Sequence, residues 1–180
     1  MPGRYEDNVF FIGDFDDSLE LDVVIPLTRE IQNQKEQANP KIDLYINSFG
    51  GYSHLVMHLI ELVEAAKREG IVVRTIVPNA AFSAGSMLAV TGTPGERYIA
   101  KHADHLVHYG SIASFETTPE QIKRYQKWKE RQFKYSITHY KKYCEIPDLE
   151  KNIQDDGWFI PAADCLKYKI ADKYTDKLVL

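Results

Sequence analysis

Residues Ile71 to Val77 (IVVRTIV) form an almost unbroken β-branched run that stops at Pro78. Such a run packs well on a pleated, buried surface, and a proline cannot donate to the next ladder position, so a strand must end there. Small residues follow, Asn79-Ala80-Ala81-Phe82-Ser83-Ala84-Gly85-Ser86, and then an apolar helical pattern through Met87, Leu88 and Ala89. A strand, a tight turn and a buried helix in this order confine the chain to folds that layer helices on a sheet. The turn also sets a serine hydroxyl at a helix N-terminus, where unpaired N–H groups and the helix dipole favour developing negative charge. A serine nucleophile needs that setting, because the oxyanion it creates must be stabilised beside it. From this segment alone, Ser83 or Ser86 acting only as an N-cap is the structural alternative.

The same alternation runs on both sides. Asn8 to Ile12 and Ile42 to Ile46 read as strands. Between them, Leu19 to Gln37 has helical spacing with Leu21, Val24, Ile25 and Ile31 on one face, and Pro26 is a flaw in it. Leu55 to Lys67 is a stronger helix, apolar at Leu55, Leu59, Leu62, Val63 and Ala66 and ended by Gly70. Short strands are predicted near Arg97–Ala100 and His105–His108. This β-α-β-α order predicts a mostly parallel α/β sheet.

A chain of 180 residues can bury one good core, so a single domain spanning 1–180 is expected. The two cysteines, Cys144 and Cys165, are too few for a disulfide framework and fit a reducing compartment. The polar start and the absence of any run of membrane-spanning length predict a soluble, cytoplasmic protein without membrane contact. Basic residues number 22 against 26 acidic, a formal net charge of -4, which gives no global pull toward nucleic acid.

Thr118-Pro119-Glu120 carries a cap, an N1 proline and a first-turn acid, and predicts the start of a long helix reaching about Tyr143. One side is aromatic (Tyr125, Trp128, Tyr135) and the rest largely basic, with few plain aliphatics. Such a helix covers little core of its own and is expected to protrude and pack against a partner. Basic residues interleaved with aromatics also permit nucleic-acid contact, but a solvated basic face is the preferred reading.

Two further elements carry chemistry. Asn47-Ser48-Phe49-Gly50-Gly51 lies between a strand and a helix, where paired glycines let backbone N–H groups point into a cleft without Cβ obstruction. His108 ends a short strand in which alternation sets His105 and Val107 on one face and Leu106 and His108 on the other. An imidazole is the usual general base for a serine, its pKa lying near neutrality. His102, His105 and His108 do not share a strand face, and His54 and His58 lack the intervening glutamate of a zinc protease. No metal or organic cofactor is expected.

Together these residues resemble the ClpP peptidase family, a branch of the crotonase-like superfamily, from Asn8 onward. Asp43-Leu44-Tyr45-Ile46-Asn47-Ser48 with Gly50-Gly51 is similar to the family's LYINSPGG motif, and Ala81-Phe82-Ser83-Ala84-Gly85 to its AASMG nucleophile segment. Lys101 to His108 resembles the segment that ends in the catalytic histidine, and the interval from Ser83 to His108 is the family's own. Phe159 to Cys165, running on to Ala171-Asp172, is similar to the C-terminal FMSAEEA…GLID pattern.

The resemblance implies a crotonase-like spiral of ββα units, a protruding handle helix at about 118–143, and a serine endopeptidase acting on peptides or unfolded proteins inside a ring-shaped chamber. Ser83 would be the nucleophile, His108 the general base, and the N–H groups of Gly51 and Ala84 the oxyanion hole. Aligned from the left with the family's LEQIERD segment, Leu149 to Asp155 sets Asp155 at the triad acid, with Asp156 and then Asn152 as alternatives. The implied partners are other copies of the chain in a heptameric ring or a double ring (tetradecamer), with an AAA+ unfoldase or host ClpP subunits as further candidates.

Three departures matter. Phe49 stands where the family has proline, and Tyr109 to Phe115 replaces its Gly-rich groove-lining strand. Residues 1–7 precede the first predicted strand where the family has a longer axial segment, which puts docking of an unfoldase in question. This compact form fits a divergent, phage-encoded member working in host cytoplasm. Two rival functions are an inactive ClpP-like assembly subunit and a crotonase-type acyl-CoA enzyme, since the superfamily shares the oxyanion geometry.

Overall fold

The computed structural model describes residues 3–6, 8–108, 110, 118–153 and 157–175. Strand β2 (Val9–Ile12), β3 (Lys41–Ile46), β4 (Val72–Val77), β6 (Arg97–Ile99) and β9 (Lys173–Tyr174) run parallel, and β1 (Gly3–Glu6) adds an antiparallel edge beside β2. The order across this sheet is β1-β2-β3-β4-β6-β9, which agrees with the expected α/β class. Ile42, Leu44 and Ile46 on one face of β3 and Asp43 and Tyr45 on the other are all buried, as a strand covered on both faces requires. Helix α2 (Ser53–Arg68) packs Leu55, Leu59, Val63 and Ala66 into the core, and Gly70, at φ +79°, turns the chain back into β4. Full burial of a side chain such as Leu59 contributes roughly 1.5–3 kcal/mol.

A second, small sheet was not legible in the periodicity. It holds β5 (Ala80–Phe82), β7 (Asp104–Val107) and β8 (Trp158–Pro161), with β7 central, parallel to β5 and antiparallel to β8. Helix α3 (Ala84–Val90) leaves directly after β5, and a bridge between Ser48 and Ala81 joins the end of β3 to this sheet. The two parallel strands β5 and β7 therefore end side by side, and β8 enters beside the end of β7.

The predicted helix Leu19–Gln37 is two elements. A π-helical turn at Glu20–Val24 leads into α1 (Ile25–Gln34), whose first turn holds Pro26. Proline lacks the N–H that a continuous helix would use there, and the wider π-turn rotates the residues before it. The core face consequently consists of Leu19, Val23, Val24, Leu27 and Ile31, while Leu21 is 70% exposed and Ile25 38%. Leu21 and Ile25 therefore depart from the single apolar face expected of them.

Helix α4 (Pro119–Tyr143) starts as predicted. Thr118 accepts from the Gln121 N–H and Gln121 returns a bond to the Thr118 N–H, a capping box with Pro119 behind it. Only Ile137, His139 and Tyr140 of this long helix are buried, all in its C-terminal part. No helix among the described residues is long and apolar enough to cross a membrane. Helix α5 (Leu149–Asn152) and α6 (Ala162–Lys167) complete the described elements.

The buried end of α4 is tied to α2 through Glu64, which takes hydrogen bonds from Lys67, Lys142 and Tyr143. Burial alone would push the Glu64 carboxyl up, but those donors outweigh it and hold the pKa at about 2. Between pH 4.5 and pH 2 the unfolded chain therefore binds the extra proton, and stability falls as pH falls. The gap in Tm between wild type and Glu64→Gln is expected to be full above pH 5 and to shrink steadily below pH 4.5. A thermal-unfolding series across that range checks it.

Candidate active site

Ser83 follows β5 and His108 follows β7, so parallel pairing of two short strands delivers both side chains to one edge of the small sheet. Ser83 Oγ lies 2.7 Å from His108 Nε2. The Ser83 N–H donates to the Leu106 carbonyl at 2.8 Å, which fixes the serine backbone against the strand that carries the histidine. Ser83 itself adopts φ +53°, ψ -116°, outside the regions open to most L-residues, at a cost on the order of 1–3 kcal/mol. Although it stands at the N-cap of α3, its side chain makes no capping bond. The hydroxyl is turned to the imidazole instead. His108 is half-buried, and desolvation holds its pKa below the usual 6.5. A neutral imidazole in contact with a hydroxyl can accept that proton as the oxygen attacks.

The Gly50-Gly51 turn lies against this pair. A Cβ on Gly50 would fall 2.8 Å from Ser83 Cβ, and one on Gly51, at φ +135°, would fall 2.3 Å from the Phe15 carbonyl oxygen. Only glycine fits either position. Phe15 pairs with this turn by donating its N–H to the Gly50 carbonyl and accepting from the Tyr52 N–H, each at 2.8 Å. The Gly51 N–H is left on the opposite edge of the strand, and Gly51 and Ala84 both line the cavity beside Ser83. Ala84 opens α3, so its N–H has no partner within the helix.

A support for this turn escaped the reading of the sequence. Asp14 Oδ1 accepts the Phe49 N–H at 2.6 Å and the Ser48 hydroxyl at 3.3 Å, and Ser48 Oγ in turn accepts the Gly50 N–H at 3.0 Å. A lone aspartate after a predicted strand reads as an ordinary turn residue, and no local signal distinguishes it.

Asp155 and Asp156 lie outside the described residues. Asn152 is exposed and donates to the Pro147 carbonyl at 3.2 Å. Gly157 sits against the histidine, where an added Cβ would be 2.7 Å from His108 Cβ. The chain therefore enters β8 beside His108, immediately after the segment 154–156.

The other candidate histidines have separate surroundings. His102 is exposed, and His58 Nδ1 is 3.8 Å from Glu20 on the surface. His54 is stacked on Tyr52. His105 is fully buried with Nδ1 2.9 Å from Ser86 Oγ, and burial drives its pKa to about 3. Ser86 is thus neither a cap nor part of the Ser83–His108 pair but one half of a satisfied core hydrogen bond.

A cavity of about 710 Å³ opens beside Ser83 and His108. Its walls include Met57, Met87, Trp128 and Tyr135, so the aromatic side of α4 faces the site. The basic residues Arg124, Lys127, Arg131 and Lys134 lie on the exposed face of α4. The cavity wall is mainly apolar, with Ser83 and His108 among its lining residues.

Comparison with known proteins agrees with this architecture. The chain is 24% identical over 177 residues to the ATP-dependent Clp protease proteolytic subunit 1 of Bifidobacterium longum, covering 94% of this chain and 71% of that protein. It is 25% identical over 177 residues to the ATP-dependent Clp protease proteolytic subunit of Deinococcus radiodurans, covering 96% and 82%. The corresponding subunit of Streptococcus uberis is 29% identical over 140 residues, 76% of this chain and 69% of that one. The family model described as Clp protease matches residues 5–177. With that match spanning nearly every described element, from the edge strand to β9, the chain belongs to the Clp protease family.

Proposed function

We propose that this chain is a ClpP-type serine endopeptidase. The observation that carries the reading is the 2.7 Å contact between Ser83 Oγ and His108 Nε2 at the first turn of α3, beside the Gly50-Gly51 turn. His108 takes the Ser83 proton as the oxygen attacks a peptide carbonyl, and the N–H groups of Gly51 and Ala84 hold the oxyanion. The imidazolium then gives its proton to the leaving amine, and water repeats the sequence on the acyl-enzyme. Asp155 is the acid that fixes the imidazole's tautomer and compensates its charge, a placement supported by the entry of the chain at Gly157 beside His108.

The mostly exposed α4 is the element through which copies of the chain assemble, in a heptameric ring or two stacked rings. Any ATP requirement then belongs to an unfoldase partner. A hydrogen-bonded serine and histidine is what peptide hydrolysis requires, and this favours the endopeptidase over both the inactive-subunit and acyl-CoA readings.

Treatment of the native-sized oligomer with a fluorophosphonate, followed by peptide mass spectrometry, tests the reading. A covalent adduct on Ser83 that is lost in His108→Ala is expected. An assembled, folded protein that stays unlabelled would sink it. Asp155→Asn is expected to lower kcat by about 10^3- to 10^4-fold, because an amide can orient the imidazole but not balance its charge. Asp156→Asn and Asn152→Ala are expected to stay within a fewfold of wild type in the same peptide assay.

A further inference from the structure

Three phenylalanines make an apolar ledge along the edge of the site, outside what a serine, a base and an oxyanion hole require. Phe82 immediately precedes Ser83. Its ring meets Phe49 edge-on at 5.3 Å and Phe159 edge-on at 5.5 Å, with interplanar angles of 81° and 87°. The three come from different segments, the turn after β3, the end of β5 and the middle of β8. Phe82 and Phe159 both pair with Leu106 across the small sheet, so the row Phe82–Leu106–Phe159 lies on the sheet face that His108 shares by alternation. Phe49 is 68% exposed and Phe159 59%. Two large rings are thus left open to water beside a reactive centre.

The ledge continues the cavity. Phe49, Ser83 and Leu106 line the cavity, whereas Phe82 and Phe159 lie outside it, next to Ser83 in the chain and to Leu106 across the sheet. An extended peptide directs successive side chains to opposite sides. If its carbonyl lies at Ser83, one residue flanking that bond enters the cavity along α4 and its neighbour falls on the other side, toward Phe82 and Phe159.

We propose that Phe82 and Phe159, with Phe49 at their boundary with the cavity, form a second side-chain subsite that selects an apolar, preferably aromatic, residue on the side of the cleaved bond opposite the residue held in the cavity. The occupant is the peptide substrate, and the inference rests on the peptidase reading of Ser83. The edge-on geometry leaves ring faces and edges open to a further ring, and aromatic pairs favour such offset or perpendicular contacts.

The test uses the assembled full chain and internally quenched peptides that carry Phe, Leu or Gly at each of the two residues flanking one cleavage site, with the cut located by mass spectrometry. Wild type is expected to prefer Phe over Gly at both flanks. Phe159→Ala is expected to reduce the Phe-to-Gly ratio of kcat/KM by about tenfold or more at one flank, the range for one apolar group in a pocket. Met57→Ala, in the cavity wall, is expected to reduce it at the other flank. Phe159 is exposed, so its truncation leaves the core intact.

An unchanged ratio in Phe159→Ala would overturn the subsite, as would loss at the same flank as Met57→Ala. Dissociation of the oligomer in Phe159→Ala, seen by native mass spectrometry, would assign the ledge to a contact between copies and also overturn it. Fluorophosphonate labelling of wild type is scored separately. Failure to label Ser83 sinks the peptidase reading, whereas labelling with unaltered selectivity in Phe159→Ala sinks the ledge alone.

Discussion

Ser83→Ala is expected to lower kcat for peptide hydrolysis by about 10^4- to 10^6-fold with little change in folding or assembly. The hydroxyl makes no capping bond to α3, so its loss does not remove a helix stop. Its hydrogen bond is to His108 Nε2, a partner still reached by solvent when the oxygen is gone. Alanine also inherits the same φ of +53°, so the backbone cost stays close to that of serine. A residue serving only as a cap behaves in the opposite way, costing about 1 kcal/mol of stability and nothing in turnover. Measuring kcat and Tm on the same preparation separates the two. The double variant Ser83→Ala/His108→Ala is expected to be no slower than either single one, because residues that act as a unit lose their effect together. A Ser83→Ala protein with wild-type turnover would remove the nucleophile from Ser83 altogether.

Ser83 and His108 were legible because two local signals at a fixed interval constrain one another. Each is weak alone. A small-residue turn after a β-branched strand and a histidine at the end of a short alternating run become specific only when strand pairing can bring them together. The sheet that does so was not legible. β5 has only three residues, too few for a period to register, and it is flanked by partners distant in sequence, Ser48 on one side and β7 on the other. Long-range pairing of that kind leaves no trace in a sequence window.

Leu21 and Ile25 failed for a different reason. The periodicity argument assumes an unbroken 3.6-residue turn, whereas a π-turn and Pro26 divide the segment and rotate its two parts. The buried pair Ser86–His105 shows the opposite limit. Its two residues are polar, and sequence reasoning expects polar groups at caps or sites, yet their mutual hydrogen bond lets them fill the core. The aromatic side of α4, expected to pack against a partner, also contributes Trp128 and Tyr135 to the wall of the cavity beside Ser83.

His108→Ala is expected to match Ser83→Ala in kcat, and the pH dependence of the wild type identifies the reason. A general base acts only when neutral, so kcat/KM falls on the acid side with the pKa of the free enzyme's imidazole. Burial destabilises the charged form and holds that pKa below the usual 6.5. The acid limb is therefore expected to have its midpoint below pH 6.5, with activity retained into mildly acidic buffer. A carboxylate beside the ring acts in the reverse direction, since its negative charge favours imidazolium and raises the pKa. If Asp155 is that carboxylate, Asp155→Asn should move the acid limb further down while lowering the plateau. A merely structural Asp155 would lower activity or stability without moving the limb. The same sign governs folding. The unfolded histidine binds a proton near pH 6.5 that the folded one resists, so His108 makes stability fall as pH drops through that range. Rates on one quenched peptide from pH 4.5 to 9, with Tm recorded at each point, separate loss of the base from loss of the fold. An acid limb centred at or above pH 6.5 in the wild type would mean that a neighbouring negative charge outweighs burial, and Asp155→Asn would then be required to shift it downward.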